Sequence, residues 1–301
     1  MSVKVLSESV RDLVDEDAPV EQIATGFKFT EGPIWMADGS LHFSDMPGDM
    51  RRRWHPDEGV EVLRDPSNKC NGMTRDNDGN LIVCEHVTSS VVREKPDGTR
   101  EAIATHWGDK ELNSPNDVIV ASDGSIIFTD PTYGRMPGFG LEREQDLDFQ
   151  GVYRLPADGG DLQLLVDDFA QPNGLCFTPD ESQLYVNDTL HAHIRVFDVG
   201  PDHALSNGRV FADGIGTGDL ASGELVDGMK LDERGNVYVT GPEGVWIFAP
   251  DGKQLGVIRV PEIVGNLNWG EDDWRTLFIT ASTSLYSVRM KIGGNQLGYM
   301  T

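Results

Sequence analysis

Cysteine is scarce in this chain: Cys70, Cys84 and Cys176 are the three present among 301 residues, an odd number without metal-site spacing. That argues against a disulfide framework or a thiolate metal centre, and two of the three sit in apolar strand patterns where a thiol packs as a small hydrophobe. Positive charge is short as well, with 25 Lys and Arg against 50 Asp and Glu, a net charge of −25. Such a surface repels nucleic acid and anionic membranes, so neither is expected as a partner. No stretch approaches the roughly 18 uninterrupted apolar residues that a membrane span needs. The opening, MSVKVLSESVRDLVDED, lacks a basic segment leading into an apolar one, so a cytoplasmic protein is expected. A G-x-S-x-G elbow is missing too, which argues against a serine-triad hydrolase.

What the chain has in quantity is glycine, 34 residues, and a six-fold repeat. Glu31 stands eight positions before Gly39, Asn71 before Gly79, Asn116 before Gly124, Asn173 before Glu181, Asp227 before Gly235 and Asn266 before Trp274. Every one of these turns leads into a β-branched or aromatic run such as SLHFSD, NLIVCE or SIIFTD. Repeats of roughly 40–50 residues with paired short strands mark propeller blades. The expected fold is therefore all-β: a six-bladed β-propeller with four-stranded blades, one domain over residues 1–301, whose six slots converge on a central metal channel.

The blades can be read further. An apolar stretch such as Val118-Ile119-Val120, an Asp-Gly turn and a second stretch such as Ile126-Ile127-Phe128 make a hairpin. A second turn signal, as in Pro96-Asp97-Gly98 and Pro250-Asp251-Gly252, implies a second hairpin per blade. The slots are 40, 45, 57, 54 and 39 residues apart, so the third and fourth blades carry insertions. The longest candidate, Tyr133 to Phe149, is either a cover for the channel mouth or a plain surface excursion. Closure of the ring is expected from Val3–Leu6 or Gln22–Phe27, one of which should lie beside Leu285–Lys291.

Hard divalent cations take carboxylate and amide oxygens, whereas zinc and copper recruit His or Cys. No slot holds either of those, so calcium leads, with magnesium or manganese behind it. Glu31 and Asp227 would nearly neutralise such an ion, and the asparagines add neutral donors. A single slot residue would be explained by turn chemistry; six in register describe a ring.

At these residues the chain resembles a known family. EGPIW, SPNDV, QPNGL and VDGMK, each leading to its hairpin from about Gly26 to Leu285, look like the senescence-marker/gluconolactonase/luciferin-regenerating propellers, and SPND, FTDPTYG and FQGVYR are most similar to the bacterial gluconolactonases. The resemblance implies a hydrolase of cyclic esters holding one divalent ion on Glu31, Asn173 and Asp227, with Asn116 as a fourth ligand or a substrate contact. It implies calcium, zinc, magnesium, manganese or iron as the ion. One departure stands out: an arginine linked to sugar-lactone binding in the animal branch is Ser114 here, a short neutral side chain expected at the channel mouth.

The residue chemistry yields a mechanism in which Asp227 is the general base that takes a proton from water, while the ion polarises the lactone carbonyl. Asn71, Asn116, Asp130, Tyr133 and Asn266 are candidate substrate contacts, with Asp188 beside Asp130 as a strand-end carboxylate that either faces the cavity or caps a turn. His106, His191 and His193 lie in loops between repeats; they reach the mouth or are simply solvated. The expected partner is a small lactone, of sugar type. A calcium-dependent phosphotriesterase and a non-catalytic binding propeller with a structural ion are the alternatives.

Overall fold

The computed structural model describes residues 2–296. Turn chemistry sets the strands. Gly39, Gly79, Gly124 and Gly235 occupy the repeated turn position with φ of +81°, +79°, +87° and +78°, a region open to glycine and strained for other residues. Glu181 and Trp274 hold the same position in the other two repeats at +55° and +54°, a strain of about 1 kcal/mol each. Compensation is local: the Glu181 carboxylate accepts hydrogen bonds from Ser122 N and Oγ, both at 2.7 Å, and Trp274 is buried in the core.

Two hairpins make the antiparallel sheet of each blade. Thr30–Trp35, Leu41–Asp45, Met50–His55 and Gly59–Arg64 form the first, in chain order from the axis outward. The other inner strands are Cys70–Arg75, Val118–Val120, Pro172–Phe177, Met229–Leu231 and Val264–Gly270. Each neighbours the next, and the last returns to Thr30–Trp35, so six sheets close as a six-bladed β-propeller. Val20–Thr25 supplies the outer strand of the sixth blade, paired with Ser284–Arg289. The other candidate, Val3–Val5, pairs with Gln254–Arg259 and gives the fifth blade a fifth strand, covering an edge that four strands would leave open. No described helix is long and apolar enough to cross a membrane.

Sheets stacked around an axis bury both faces, and the strands read accordingly. Ile126 and Phe128 point into the contact between blades two and three, while Ile127 between them points toward blade four. Among the described residues the buried apolar side chains fall into six clusters, one at each interface between blades. The three cysteines are free and buried in three different clusters, as core packing requires.

At the axis the packing is backbone to backbone. Gly72 N donates to Asn116 O at 2.8 Å, Gly174 N to Asp227 O at 3.2 Å and Gly228 N to Gly265 O at 2.8 Å. A side chain at any of these glycines would overlap the neighbouring inner strand. Two substitutions separate this crowding from simple turn strain. Gly79→Ala meets no atom within 4 Å and should cost about 1 kcal/mol from its left-handed φ alone. Gly174→Ala drives its Cβ onto Asp227 O and to 2.9 Å from Asn187 Nδ2, and should cost several times more in urea denaturation; equal losses would contradict a packed inner ring.

Candidate active site

In four blades the inner ladder slips by one residue at the repeated slot. Glu31 pairs with Ser44 but Ile34 with His42, and the same extra residue appears between Cys70 and Met73, Pro172 and Leu175, and Val264 and Asn266. A bulge breaks the in–out alternation and re-aims a side chain, here toward the axis. In blades three and five the ladder starts only at Val118 and Met229, leaving Asn116 and Asp227 on irregular chain. The carbonyls of the slots are pinned from behind: Ser44 Oγ donates to Asn71 O at 2.7 Å, Thr129 Oγ1 to Asn173 O at 2.8 Å and Asn187 Nδ2 to Asp227 O at 2.6 Å.

Glu31, Asn71, Asn116, Asn173 and Asp227 line one cavity of about 360 Å³. Glu31 Oε2 accepts hydrogen bonds from its neighbour Gly32 N and from Asn266 Nδ2 at 3.0 Å, while Oε1 is buried without a partner. Asn71 Nδ2 meets His86 Nε2 at 3.3 Å, and Asn71 Oδ1 is likewise buried and unpaired. Asn173 donates from Nδ2 to Tyr133 Oη at 3.3 Å and to Thr189 Oγ1 at 3.1 Å. The amide of Asn116 has no partner among the described residues. Buried oxygens with no donor are costly, and an all-oxygen set of carboxylates and amides suits a hard divalent cation.

Electrostatics point the same way. Burial, then the charge of Asp117, raises the Glu31 carboxyl from 4.5 to about 7, against hydrogen bonds from Gly32 and Asn266. Burial, then the charge of Glu31, pushes Asp227 well above the ordinary carboxylate range. Asp117 was not singled out by the sequence; it occupies the third-blade position that is glycine after Glu31, Asn71, Asn173 and Asp227. Its Oδ2 is buried, makes no hydrogen bond, and lies 3.8 Å from Lys230 Nζ. Burial and the charge of Asp227 also push the Tyr133 phenol upward, so it stays neutral beside the ring.

Several sequence expectations are redistributed. Asp130 does not line the cavity: its two oxygens accept Asn113 N and Ser114 N, both at 2.8 Å, and cap the turn. Asp188 is spent likewise on Ala170 N, Gln171 N and the His191 ring. Asn266 holds Glu31 rather than facing a substrate. Ser114 is fully buried, donating to Pro131 O at 2.5 Å and accepting from Gly134 N at 2.8 Å, so it anchors the insertion instead of widening the mouth. His106, His191 and His193 do not line the cavity; His191 and His193 stand with Asp188 in a separate group whose ligand atoms lie within 4.8 Å of one another.

The histidine that reaches the cavity is His86. Its Nδ1 lies 2.9 Å from Phe139 O, so Nδ1 donates and Nε2 accepts from Asn71, and burial lowers its pKa to about 4. The signal lay one residue beyond the acidic strand ends: Met46 after Asp45 and His86 after Glu85 line the cavity, and Thr189 after Asp188 bonds Asn173. The Tyr133–Phe149 insertion walls the cavity through Tyr133, Met136 and Phe139, fixed by Arg135 on Asn113 O at 2.9 Å and Leu112 O at 2.6 Å. The second wall is residues 213–228, the location of the fourth-blade insertion, contributing Leu220 and Leu225.

In ion-free protein Glu31 keeps a proton between pH 4.5 and about 7, where an unfolded chain has lost it. The folded state then binds more protons, so this group's contribution to stability falls as pH rises through that window; a divalent ion bound there would displace the proton and reverse the loss. Thermal melts from about pH 5 to 8 should fall more steeply for the wild type than for Glu31→Gln, and calcium at the upper end should raise the wild-type midpoint far more. Identical behaviour of the two proteins would show that Glu31 binds no cation.

A family model described as the SMP-30/gluconolactonase/LRE-like region matches residues 29–283. A gluconolactonase of Zymomonas mobilis is 33% identical over 302 residues, covering 94% of this chain and 84% of that protein. The solved structure of a gluconolactonase from Xanthomonas campestris superposes with a TM-score of 0.88 at 33% identity, covering 96% of this chain and 94% of that one. A calcium-binding regucalcin from Agrobacterium tumefaciens shares the fold, with a TM-score of 0.74 at 18% identity over 93% of this chain and 98% of that one. Matched along most of its length by model, sequence and structure alike, the chain belongs to the SMP-30/gluconolactonase/LRE-like family.

Proposed function

We propose that the protein is a metal-dependent lactonase that opens a small cyclic ester to its hydroxy acid, a sugar lactone being the substrate its gluconolactonase relatives point to. The observation that carries this reading is the unpartnered carboxylate oxygen Glu31 Oε1 beside a second carboxyl of raised pKa, Asp227, in one open cavity, where the equally unpartnered Asn71 Oδ1 is left for the substrate. Glu31, Asn173 and Asp227, with Asn116, are the residues that would hold the ion, calcium first by donor hardness, with magnesium, manganese or zinc as alternatives. When bound, such an ion polarises a carbonyl and lowers the pKa of water.

The chain's own residues do the rest. Asp227 takes a proton from the attacking water and returns it to the ring oxygen as the acyl C–O bond breaks. Its environment suits this exchange, because a carboxylate made more basic by burial and by Glu31 is a better proton acceptor. Asn116, with a free amide, and Tyr133, with a neutral phenol, orient the lactone, while Asn266 and His86 hold Glu31 and Asn71 in place.

Asp227→Asn keeps an oxygen donor and removes the proton acceptor. It should lower kcat by a factor on the order of 10²–10⁴ while calorimetry still shows ion binding; Glu31→Gln should chiefly weaken the ion. Full activity in Asp227→Asn would end its assignment as base. Hydrolysis of organophosphates without turnover of any lactone would transfer the reading to phosphorus esters.

A further inference from the structure

The polar groups of the cavity are confined to the ring and its immediate supports. Above them the walls are Phe29, Met46, Met136, Phe139, Leu225 and Ile263, drawn from five separate parts of the chain. Among the described residues no lysine, arginine, serine, threonine or glutamine lines the cavity. Of the two polar side chains outside the ring slots, His86 uses Nδ1 on Phe139 O and Nε2 on Asn71, and the Tyr133 phenol accepts from the slot residue Asn173 at 3.3 Å, which keeps it at the carbonyl end of the cavity.

A fully hydroxylated lactone fits these walls poorly. Its ring oxygens can meet the slot residues, but hydroxyls turned toward Met136, Phe139 and Leu225 find no partner, and a buried unpaired hydroxyl lowers binding by a factor on the order of ten. An alkyl or aryl substituent in the same space gains about fourfold per buried methylene. The mouth continues the apolar surface, with Phe139 38% and Ile263 49% exposed at its rim. At about 360 Å³ the cavity is within the range of sites that hold drug-sized ligands, larger than a bare lactone ring fills.

The geometry points to lactones carrying an apolar substituent, an alkyl chain or aryl ring on the carbon next to the ring oxygen, as better substrates than aldonolactones. This rests on the lactonase reading and, within it, moves the preferred substrate from the sugar lactone of the relatives to an apolar lactone. The reaction is a plain hydrolysis: water oxygen bonds to the carbonyl carbon, the acyl C–O bond of the ring breaks, and the proton lost by water ends on the released alcohol. The ring residues serve the carbonyl end, and the walls select the tail.

The test is a series of kcat/KM values for glucono-1,5-lactone, δ-valerolactone and 5-alkyl-δ-lactones of increasing chain length, with calcium or manganese supplied. The expected result is a rise of about fourfold per methylene over the first few carbons, to values above that of glucono-1,5-lactone. Ile263→Asn, at a half-exposed position, and Leu225→Asn should both flatten the rise. Calorimetry with non-hydrolysable 3-alkylcyclohexanones, in which a methylene replaces the ring oxygen, should show affinity growing with chain length and a negative heat-capacity change. A flat series beside at least tenfold better turnover of glucono-1,5-lactone overturns this inference and leaves the lactonase reading standing. No turnover of any lactone overturns that reading itself, and with it the activity inferred here, even if the cyclohexanones bind.

Discussion

The inner strands of neighbouring blades meet backbone to backbone at the axis, and the chemistry of the site depends on that closeness. Gly32, Gly72, Gly174 and Gly228 each follow a slot residue, and at each a Cβ would strike the adjacent inner strand or the next slot's side chain. The approach that these glycines permit lets Glu31 and Asp227 act on one another through space. Blade three breaks the pattern with Asp117, adding a third carboxylate where four of the other blades have glycine. Such a ring is unfavourable on its own, since burial and mutual repulsion both oppose its charge. Six apolar interfaces between blades hold it together regardless, an instance of stability built elsewhere in a fold sustaining a strained site.

Around the ring the molecule divides the labour between scaffold and loops. The strands deliver oxygens; the two insertions deliver walls. They are joined by short hydrogen-bonded chains rather than by loose contact. Phe139 O sets the tautomer of His86, and His86 sets the plane of the Asn71 amide, so the insertion has a direct hold on one slot. Thr189 donates to Val226 O at 2.9 Å and accepts from Asn173, which ties residues 213–228 to another. Loops carried on a rigid frame can change the walls while the ring stays as it is.

Much of this was legible in the residues themselves. A fixed offset between a side-chain oxygen and a left-handed turn recurs six times, and the turn is left-handed even at Glu181 and Trp274, where the residue type conceals it. The offset is local, spanning one inner strand and its turn, and period-two strands between turn residues do not depend on distant partners. The blade count, the hairpins, the cysteines as core and the ring of slots therefore follow from the sequence alone. The residues that cap turns at Asp130 and Asp188 could not be told apart from cavity residues, because a strand-end carboxylate has the same local pattern in either role.

Tertiary structure decided what depends on neighbours distant in the chain. Asn266 is 235 residues from Glu31 yet holds its carboxylate, and that pairing exists only because the last blade closes on the first. Val3–Val5 joins the fifth blade rather than the sixth because the exposed edge it covers is set by closure. His86, Asp117 and the 213–228 wall belong to the site through packing around the axis, where side chains with no shared sequence pattern meet. The sequence by itself determined which atoms could bind a cation, through the type and spacing of six residues. Which of those atoms are left without partners, and what covers them, was decided by the closed ring, since burial and pairing are properties of the whole fold.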